Sequence, residues 1–463
     1  MKLTIKNLIV SGVLLIATAS CSFFETDKAI DPNAPSVDAY LTNPNLGQIN
    51  ELVTGLQFSM RGTTATVMGN FYRIGAGISR ESYQSVSSDS RWQTEILGTI
   101  PIDPAGIFNV SYNGFAATRR RAEIFIKSTE TSNSLSAEEK LGAKGFANTV
   151  KAYVLLNQLN LQGKNGIRIT FTDLNAPGDG LKPGKFVSYE EALAEIKKIV
   201  DEGDTQLAGA GNAFAFTLTS GYTGFNTPAN FRKFNRAIAA RVAMYQKDFP
   251  SMLTAVNASF LSLNGSLIAG PVFTFSITAG DIPNPFFKVV NDNNTPDVVH
   301  PSFITEAEVG DKRVTSKTRL RATPRAVAAI PGKTYAYEVA LYTANTQSAP
   351  IIKNEELVLM YAEANIQTGN LAEAVKALDV VRVAAGLPTL AVAKPTVVSS
   401  KDLLITELLN QRRYSLFFEG HRWFDMRRYN LLATLPLDAP SHKVYELMPR
   451  PQSEVDWDVR NPQ

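Results

Sequence analysis

The sequence predicts a mainly α protein, a scaffold of paired amphipathic helices carrying a loop-rich, short-strand elaboration. Three observations point there. Several segments place apolar residues at three- and four-residue spacing, the period of a helix with one buried face. A Ser or Asn followed three residues later by Glu, the capping box that opens a helix, occurs at Ser136/Glu139, Ser188/Glu191 and Asn370/Glu373. Between residues 247 and 346 the helical period fades into Gly, Pro, Asn and Thr, with brief apolar strings such as PVFTFSI and YAYEVALY that suit strands.

Residues 1–20 read as an export signal. Lys2 and Lys6 precede an apolar stretch, Leu8 to Ala17, that is too short to span a bilayer. Ala19 and Ser20 lead to Cys21, the only cysteine of the chain. A cysteine after small residues at a signal's cleavage site resembles a bacterial lipobox, which implies diacylglycerol on the Cys21 thiol; Thr18 stands where leucine is usual. A lone cysteine excludes intrachain disulfides, dithiol redox chemistry and a Cys-based metal site. Residues 21–45, polar and broken by Pro32, Pro35 and Pro44, read as a tether. No later segment is long and apolar enough for a transmembrane helix. Residues 46–463 are expected to form one helical domain with the loop-rich insert at about 247–346.

The helices follow in order. Residues 46–62 carry Ile49, Leu52, Val53 and Leu56 in phase. Tyr112 to Lys127 is a second helix, and its Arg119-Arg120-Arg121 run reads as a solvated, salt-bridged face because no Gly-rich loop accompanies it. A long helix runs from Ser136 to about Gln162, with Phe146, Val150, Tyr153, Val154 and Leu159 on one stripe. The next starts at Ser188 and ends near Gly203. Asn230 to Gln246 places Phe234, Ala237, Ile238, Arg241 and Val242 in phase. Helices at 354–368 and 370–385 face each other across Gly369, and Gly386 with Pro388 closes the pair. This pair resembles a tetratricopeptide unit, although no strict repeat of about 34 residues recurs.

Residues 403–430, LLITELLNQRRYSLFFEGHRWFDMRRYN, are the most informative stretch. A helix with Ile405, Leu408, Leu409, Arg412 and Leu416 in phase ends at Gly420. A cluster of rings and cations follows from His421 to Tyr429. Guanidinium stacking on Trp423 and Phe424, and pairing of the arginines with Glu407, Glu419 or Asp425, are both expected. Buried charges are costly unless paired, so Glu407, Arg412, Arg413, Glu419, Arg422, Trp423, Asp425 and Arg428 are expected to form a fixed structural network.

This stretch closely resembles the carboxyl-terminal signature of the SusD/RagB lipoproteins, a pattern of the type ER..EL.fEG.Rw.DL.R. Arg412, Leu416, Phe418, Glu419, Gly420, Arg422, Trp423, Asp425 and Arg428 match it, while Gln411 and Ser415 stand where glutamates are frequent. The runs KGFANTVKAYVLLNQLNLQG and NFRKFNRAIAARVAMYQ resemble two further helices of that family. The resemblance implies a SusD-like, divergent tetratricopeptide-like fold. It also implies a lipid-anchored protein on the outer face of the outer membrane. Family members capture oligosaccharides, or in some branches peptides, and act as a lid on a SusC-like TonB-dependent transporter.

The residues themselves argue against catalysis. The three histidines, His300, His421 and His442, are isolated in sequence, without metal-ligand spacing. No nucleophile elbow, phosphate loop or dinucleotide fingerprint occurs. The formal charge of +3 over 463 residues gives no pull toward nucleic acid. No enzyme activity, cofactor or metal is therefore expected, and the expected function is binding. Sugar capture needs aromatic platforms flanked by planar polar groups. Trp92, in SDSRWQTE, is the leading platform, with Asp89, Arg91 and Gln93 beside it. Tyr72, Tyr222, Phe286, Tyr335 and Tyr337 are further candidates, each weighed against an ordinary packing role. Two functions compete: a nutrient-binding lid on a transporter, and an outer-surface adhesion or scaffold lipoprotein.

Overall fold

The structure, a computed structural model, describes residues 37–86, 88–171 and 183–461, apart from the side chain of Asp38. The expected signal, Cys21 and the first part of the tether lie outside the described residues. The chain begins with α1 (Val37–Leu41), α2 (Leu46–Met60), α3 (Thr66–Ile78), β1 (Ser82–Gln84), the single turn α4 (Arg91–Thr94), α5 (Asn109–Thr131) and α6 (Ala137–Gln162). Strands β2 (Ile167–Arg168) and β3 (Phe186–Val187) pair before α7 (Tyr189–Ala208), α8 (Pro228–Gln246) and α9 (Phe249–Asn257). The elaborated region holds β4 (Val272–Phe273), β5 (Asp297–Val299), α10 (Pro301–Thr305), α11 (Lys312–Lys317), β6 (Thr318–Ala326), β7 (Thr334–Val339) and β8 (Ala349–Pro350). Helices α12 (Asn354–Gln367), α13 (Leu371–Ala384), α14 (Leu390–Ala393), α15 (Lys401–Ser415), α16 (Arg422–Arg428) and α17 (Gln452–Arg460) complete it.

The architecture is the mainly α, stacked helix-pair scaffold that the periodicity predicts. Helix α5 packs on α6, α6 on α7, α7 on α8, and α8 on α9; α9 then meets α12, which packs on α13 and α15. Helix α6 lies at the centre: Phe146, Val150, Val154 and Leu159 are fully buried, and so are residues of its opposite face such as Ala152 and Leu155. Phe146 touches the rings of Phe125, Phe216 and Phe231, so one side chain joins three segments. A ring buried this way contributes about 3–5 kcal/mol relative to alanine.

Two capping boxes form as read, Ser136 with Glu139 and Ser188 with Glu191, and a third appears at Asn45 with Gln48. Asn370 differs from expectation. Its side chain caps nothing, because its N–H is drawn back to the Asn365 carbonyl (2.8 Å) in the tight turn made by Gly369 at φ 87°.

Helix α7 runs past Gly203 to Ala208 rather than ending there. A Cβ at Gly203 would stand 3.3 Å from the Gly145 carbonyl oxygen, and one at Gly145 only 2.9 Å from the Gly203 carbonyl oxygen. These glycines bring α6 and α7 together instead of breaking a helix. Glycine also hid α3, whose sequence TVMGNFYRIGAGI reads as a poor helix former. Tertiary packing overrides propensity there: a Cβ on Gly75 would meet the Gly420 Cα at 3.3 Å.

Three further expectations are corrected. The region 247–346 includes helix α9, opened by an Asp248 cap and Pro250 in its first turn. Arg119 is buried rather than solvated, donating to the Arg168 carbonyl and lying 4.4 Å over the Phe171 ring, whereas Arg120 and Arg121 are exposed. Residues 37–45 of the expected tether fold onto the body: Ser132 donates to the Pro44 carbonyl (2.6 Å), and the Asn43 side chain accepts from the Asn133 N–H (2.8 Å).

The main sheet is antiparallel in the order β1-β5-β7-β6. Its β1 comes from the amino-terminal part and the other strands from the elaborated region, so β5 stitches the two together through Ser82 opposite Val299. Among the described residues no helix is long and apolar enough to cross a membrane.

Candidate functional site

The α4 turn and its surroundings hold most of the residues expected to meet a ligand. Arg91 chelates Asp89 with two hydrogen bonds, Nε to Oδ1 at 2.9 Å and Nη2 to Oδ2 at 2.8 Å. Both side chains remain partly in solvent, at 45% and 28% exposure. The Arg91 hydrogen bond holds the Asp89 carboxyl below its usual range. Trp92 is partly exposed, with one side packed against the main core.

Gln93 points the other way. Its Nε2 donates to the Val86 carbonyl (3.1 Å) and its Oε1 accepts from the Ala328 N–H (2.6 Å). It is buried, so it braces α4 against the segment after β6 and offers nothing to a ligand. Arg325 reaches Ser85 Oγ at 3.2 Å, and that hydroxyl donates to the Ala326 carbonyl at 2.9 Å. The end of β1, the α4 turn and the root of the β6–β7 loop therefore make one continuous surface.

The tyrosines divide. Tyr335 is 1% exposed and meets the Tyr83 ring edge-on at 5.5 Å, inside a small cluster with Leu97, Val298, Val327 and Ile330. Tyr72 is buried and stacks on Phe286 at 4.8 Å. Tyr222 and Phe286 are also in the core. None of these rings presents a face to solvent, which removes them as platforms. Tyr337 is partly exposed and pairs across the hairpin with Leu320, itself 65% exposed. Asp89, Arg91, Trp92 and Tyr337 are the expected site residues that remain within reach of a ligand.

The carboxyl-terminal signature builds the scaffold's internal frame. Leu416 to His421 turn the chain between α15 and α16, with Phe418 at φ 62° and Gly420 at φ 77°. Arg412 donates to Asp425 Oδ2 (2.7 Å), and Arg428 Nε donates to Asp425 Oδ1 (2.9 Å). Arg428 also grips Glu363 of α12, whose carboxylate accepts from the Tyr429 hydroxyl at 2.7 Å. Trp423, fully buried, donates from its indole N–H to the Tyr445 carbonyl (2.8 Å). Arg413 pairs with Glu306 and donates to Ser302 Oγ (2.7 Å).

Only Asp425 pairs with arginines inside the signature itself. Glu407 lies about 140° around the helix from Arg412 and binds Arg382 (2.5 Å) and Lys394 (2.7 Å) instead. Glu419 binds Lys353. Arg422 meets no carboxylate among the described residues, and burial lowers its guanidinium to about 10. The buried carboxyl of Glu81 faces it, accepts from the Phe418 N–H at 3.3 Å, and is pushed up to about 7 by desolvation. The sequence had no signal for Glu81, which lies 337 residues away from Phe418.

The three histidines are engaged in separate places. His300 accepts from the Ser302 N–H (3.2 Å), His442 lies 3.1 Å from the Ala329 carbonyl, and His421 is enclosed beside Glu356. Among the described residues no group of three or more His, Cys, Asp or Glu side chains is arranged to hold a metal.

A model of the SusD family matches residues 338–460, the span from the end of β7 through α17. No curated protein matches the chain. Solved structures share its fold over nearly its whole length. A SusD superfamily protein from Bacteroides vulgatus has a TM-score of 0.64 at 14% identity, covering 89% of this chain and 97% of its own. NanU of B. fragilis gives 0.64 at 14% identity, covering 94% and 98%. Surface glycan-binding protein A from Bacteroides thetaiotaomicron gives 0.65 at 12% identity, covering 91% and 98%. The carboxyl-terminal segment is thus similar to the SusD family, and the fold of the described residues is that of the SusD superfamily structures.

Proposed function

We propose that the protein is a non-catalytic, surface-exposed lipoprotein that captures oligosaccharides and passes them to a SusC-like TonB-dependent transporter in the outer membrane. The observation that carries this reading is the α4 turn. A partly exposed tryptophan stands beside an Arg91–Asp89 pair that is fixed in place yet open to solvent. A ring face with adjacent planar donors and acceptors suits a pyranose, whose apolar C–H face stacks while its hydroxyls hydrogen-bond. A ligand anchored this way is held and released by the site without chemistry. The resemblance of the Cys21 segment to a lipobox supports attachment through lipid at that residue, and residues 21–36 would lead from the lipid to the folded body.

The histidines are used inside the scaffold, His300 beside Asp438 (3.4 Å), His421 beside Glu356 (3.6 Å) and His442 against the Ala329 carbonyl, which supports a binding role. The glycan-binding name of one structural neighbour supports oligosaccharide over peptide as the cargo.

A glycan and peptide array probed with the chain from residue 37 onward tests the ligand class. Solubilisation of cells followed by affinity capture of the full-length lipoprotein tests the partner. Glycan signals and recovery of a large outer-membrane barrel protein are expected. Peptide-only binding would overturn the cargo, and capture without a barrel would favour an adhesion or scaffold role.

A further inference from the structure

Arg412, Arg413 and Arg428 each meet a carboxylate, whereas Arg427 forms no ion pair among the described residues. Its guanidinium lies over Trp423 (5.5 Å) and Phe424 (5.2 Å), and its Nη1 donates to the carbonyls of Asn160 (2.9 Å) and Glu446 (3.0 Å). Its Nη2 is buried and has no hydrogen-bond partner. An enclosed cation without an anion is costly, and of the five arginines within these seventeen residues only Arg422 and Arg427 form no ion pair among the described residues, so the isolation of Arg427 needs a reason.

Arg427 lines a groove of about 560 Å³ formed where the ends of α6, α8 and α16 meet the start of α7. Gln246 lines the same groove, and its Oε1 is a buried acceptor with no donor. Lys247, the left-handed C-cap of α8 at φ 58°, is exposed on it and forms no ion pair among the described residues. Lys164 and Glu446 neutralise each other at 3.0 Å, and Glu190 is exposed. The partly exposed Tyr189 ring and the edge of Phe424 supply apolar wall. One groove thus combines two cations without counter-ions, an unmet acceptor and aromatic surface, with Glu190 its one carboxylate that forms no ion pair among the described residues.

We propose that this groove is a second ligand site, selective for an acidic saccharide, a sugar ring bearing a carboxylate. The carboxylate answers Lys247 and Arg427, a ring hydroxyl donates to Gln246 Oε1, and the C–H face lies on Tyr189. The volume falls within the range of small-ligand clefts. That the ligand is a saccharide rests on the glycan-binding reading above; that it is acidic rests on the unpaired cations alone.

The test is calorimetric titration of the chain from residue 37 with a glucuronate-containing disaccharide and its neutral glucose counterpart, at low and at high salt. The acidic sugar is expected to bind at least about tenfold more tightly at low salt, with the advantage shrinking as salt rises. Lys247→Asn removes the charge while tolerating the left-handed backbone. It is expected to abolish the preference while the melting temperature stays unchanged. A second variant, Gln246→Glu, should weaken the acidic ligand further by repulsion. Equal affinity for the two sugars, or an acidic preference that Lys247→Asn leaves intact, overturns this site while the glycan-binding reading stands. Binding of no saccharide at all overturns both.

Discussion

Glu363 on α12 and Arg428 on α16 are joined by a two-pronged, charge-assisted contact in which the carboxylate side chain is 0% exposed. Asp425 holds the other side of the same arginine, and Arg412 the other side of Asp425. Three helices are therefore locked by alternating charges away from water. Such a chain adds little net stability over apolar packing, yet breaking it midway leaves a naked buried charge. Glu363→Ala is expected to destabilise the fold by about 3–5 kcal/mol in urea unfolding. Pairing it with Arg428→Met is expected to recover a large part of that loss. Equal damage from the double and single variants would mean that the pair does not act as a unit.

His421 is held neutral. Burial lowers its imidazole to about 4, with Arg241 and Arg412 adding to the effect and Glu356 and Asp425 opposing it. The unfolded chain takes up that proton near pH 6.5, so the folded state is disfavoured as pH falls from about 6.5 to about 4. His421→Gln should flatten the fall in urea midpoint across that window. An unchanged slope would show that the ring is protonated inside the fold.

Glu81 works with the opposite sign. Its folded carboxyl is pushed up to about 7, so it binds a proton that the unfolded chain has already released. Its contribution is present in full below about pH 4.5 and is lost as pH rises through 7. Glu81→Gln keeps an acceptor for the Phe418 N–H and removes that loss. The variant's stability relative to the natural protein should rise steadily from pH 4.5 to pH 8, and a flat difference would contradict it.

The α6–α7 crossing depends on two glycines facing each other. Gly145→Val introduces a Cβ that meets the Leu207 Cγ at 2.6 Å as well as the Gly203 backbone. Overpacking of this kind costs about 1–3 kcal/mol, seen as a lower thermal midpoint. A midpoint at or above that of the natural protein would show that the helices can part without cost.

How much of this was legible in the sequence follows from the range of each interaction. Local signals came through: the boxes at Ser136 and Ser188 form because both partners lie within four residues. The signature was legible as a frame, and Asp425 with Arg412 could be anticipated from neighbours on two short helices. The partners of Glu407 and Glu419 could not, since Arg382 and Lys353 come from other elements. Tyr72, Tyr335 and Gln93 looked like ligand residues because loop context in sequence does not reveal burial. Arg427 looked like any arginine of its cluster, and only the fold places it in a groove with Gln246 and Tyr189.

The most direct measurement is titration of the chain from residue 37, and of its Trp92→Ala variant, with a neutral glycan selected on the array. At least about a tenfold loss of affinity is expected in a variant that still folds cooperatively, with a melting temperature lowered only by the packing of the ring's inner side. Undiminished affinity in the folded variant would contradict this expectation.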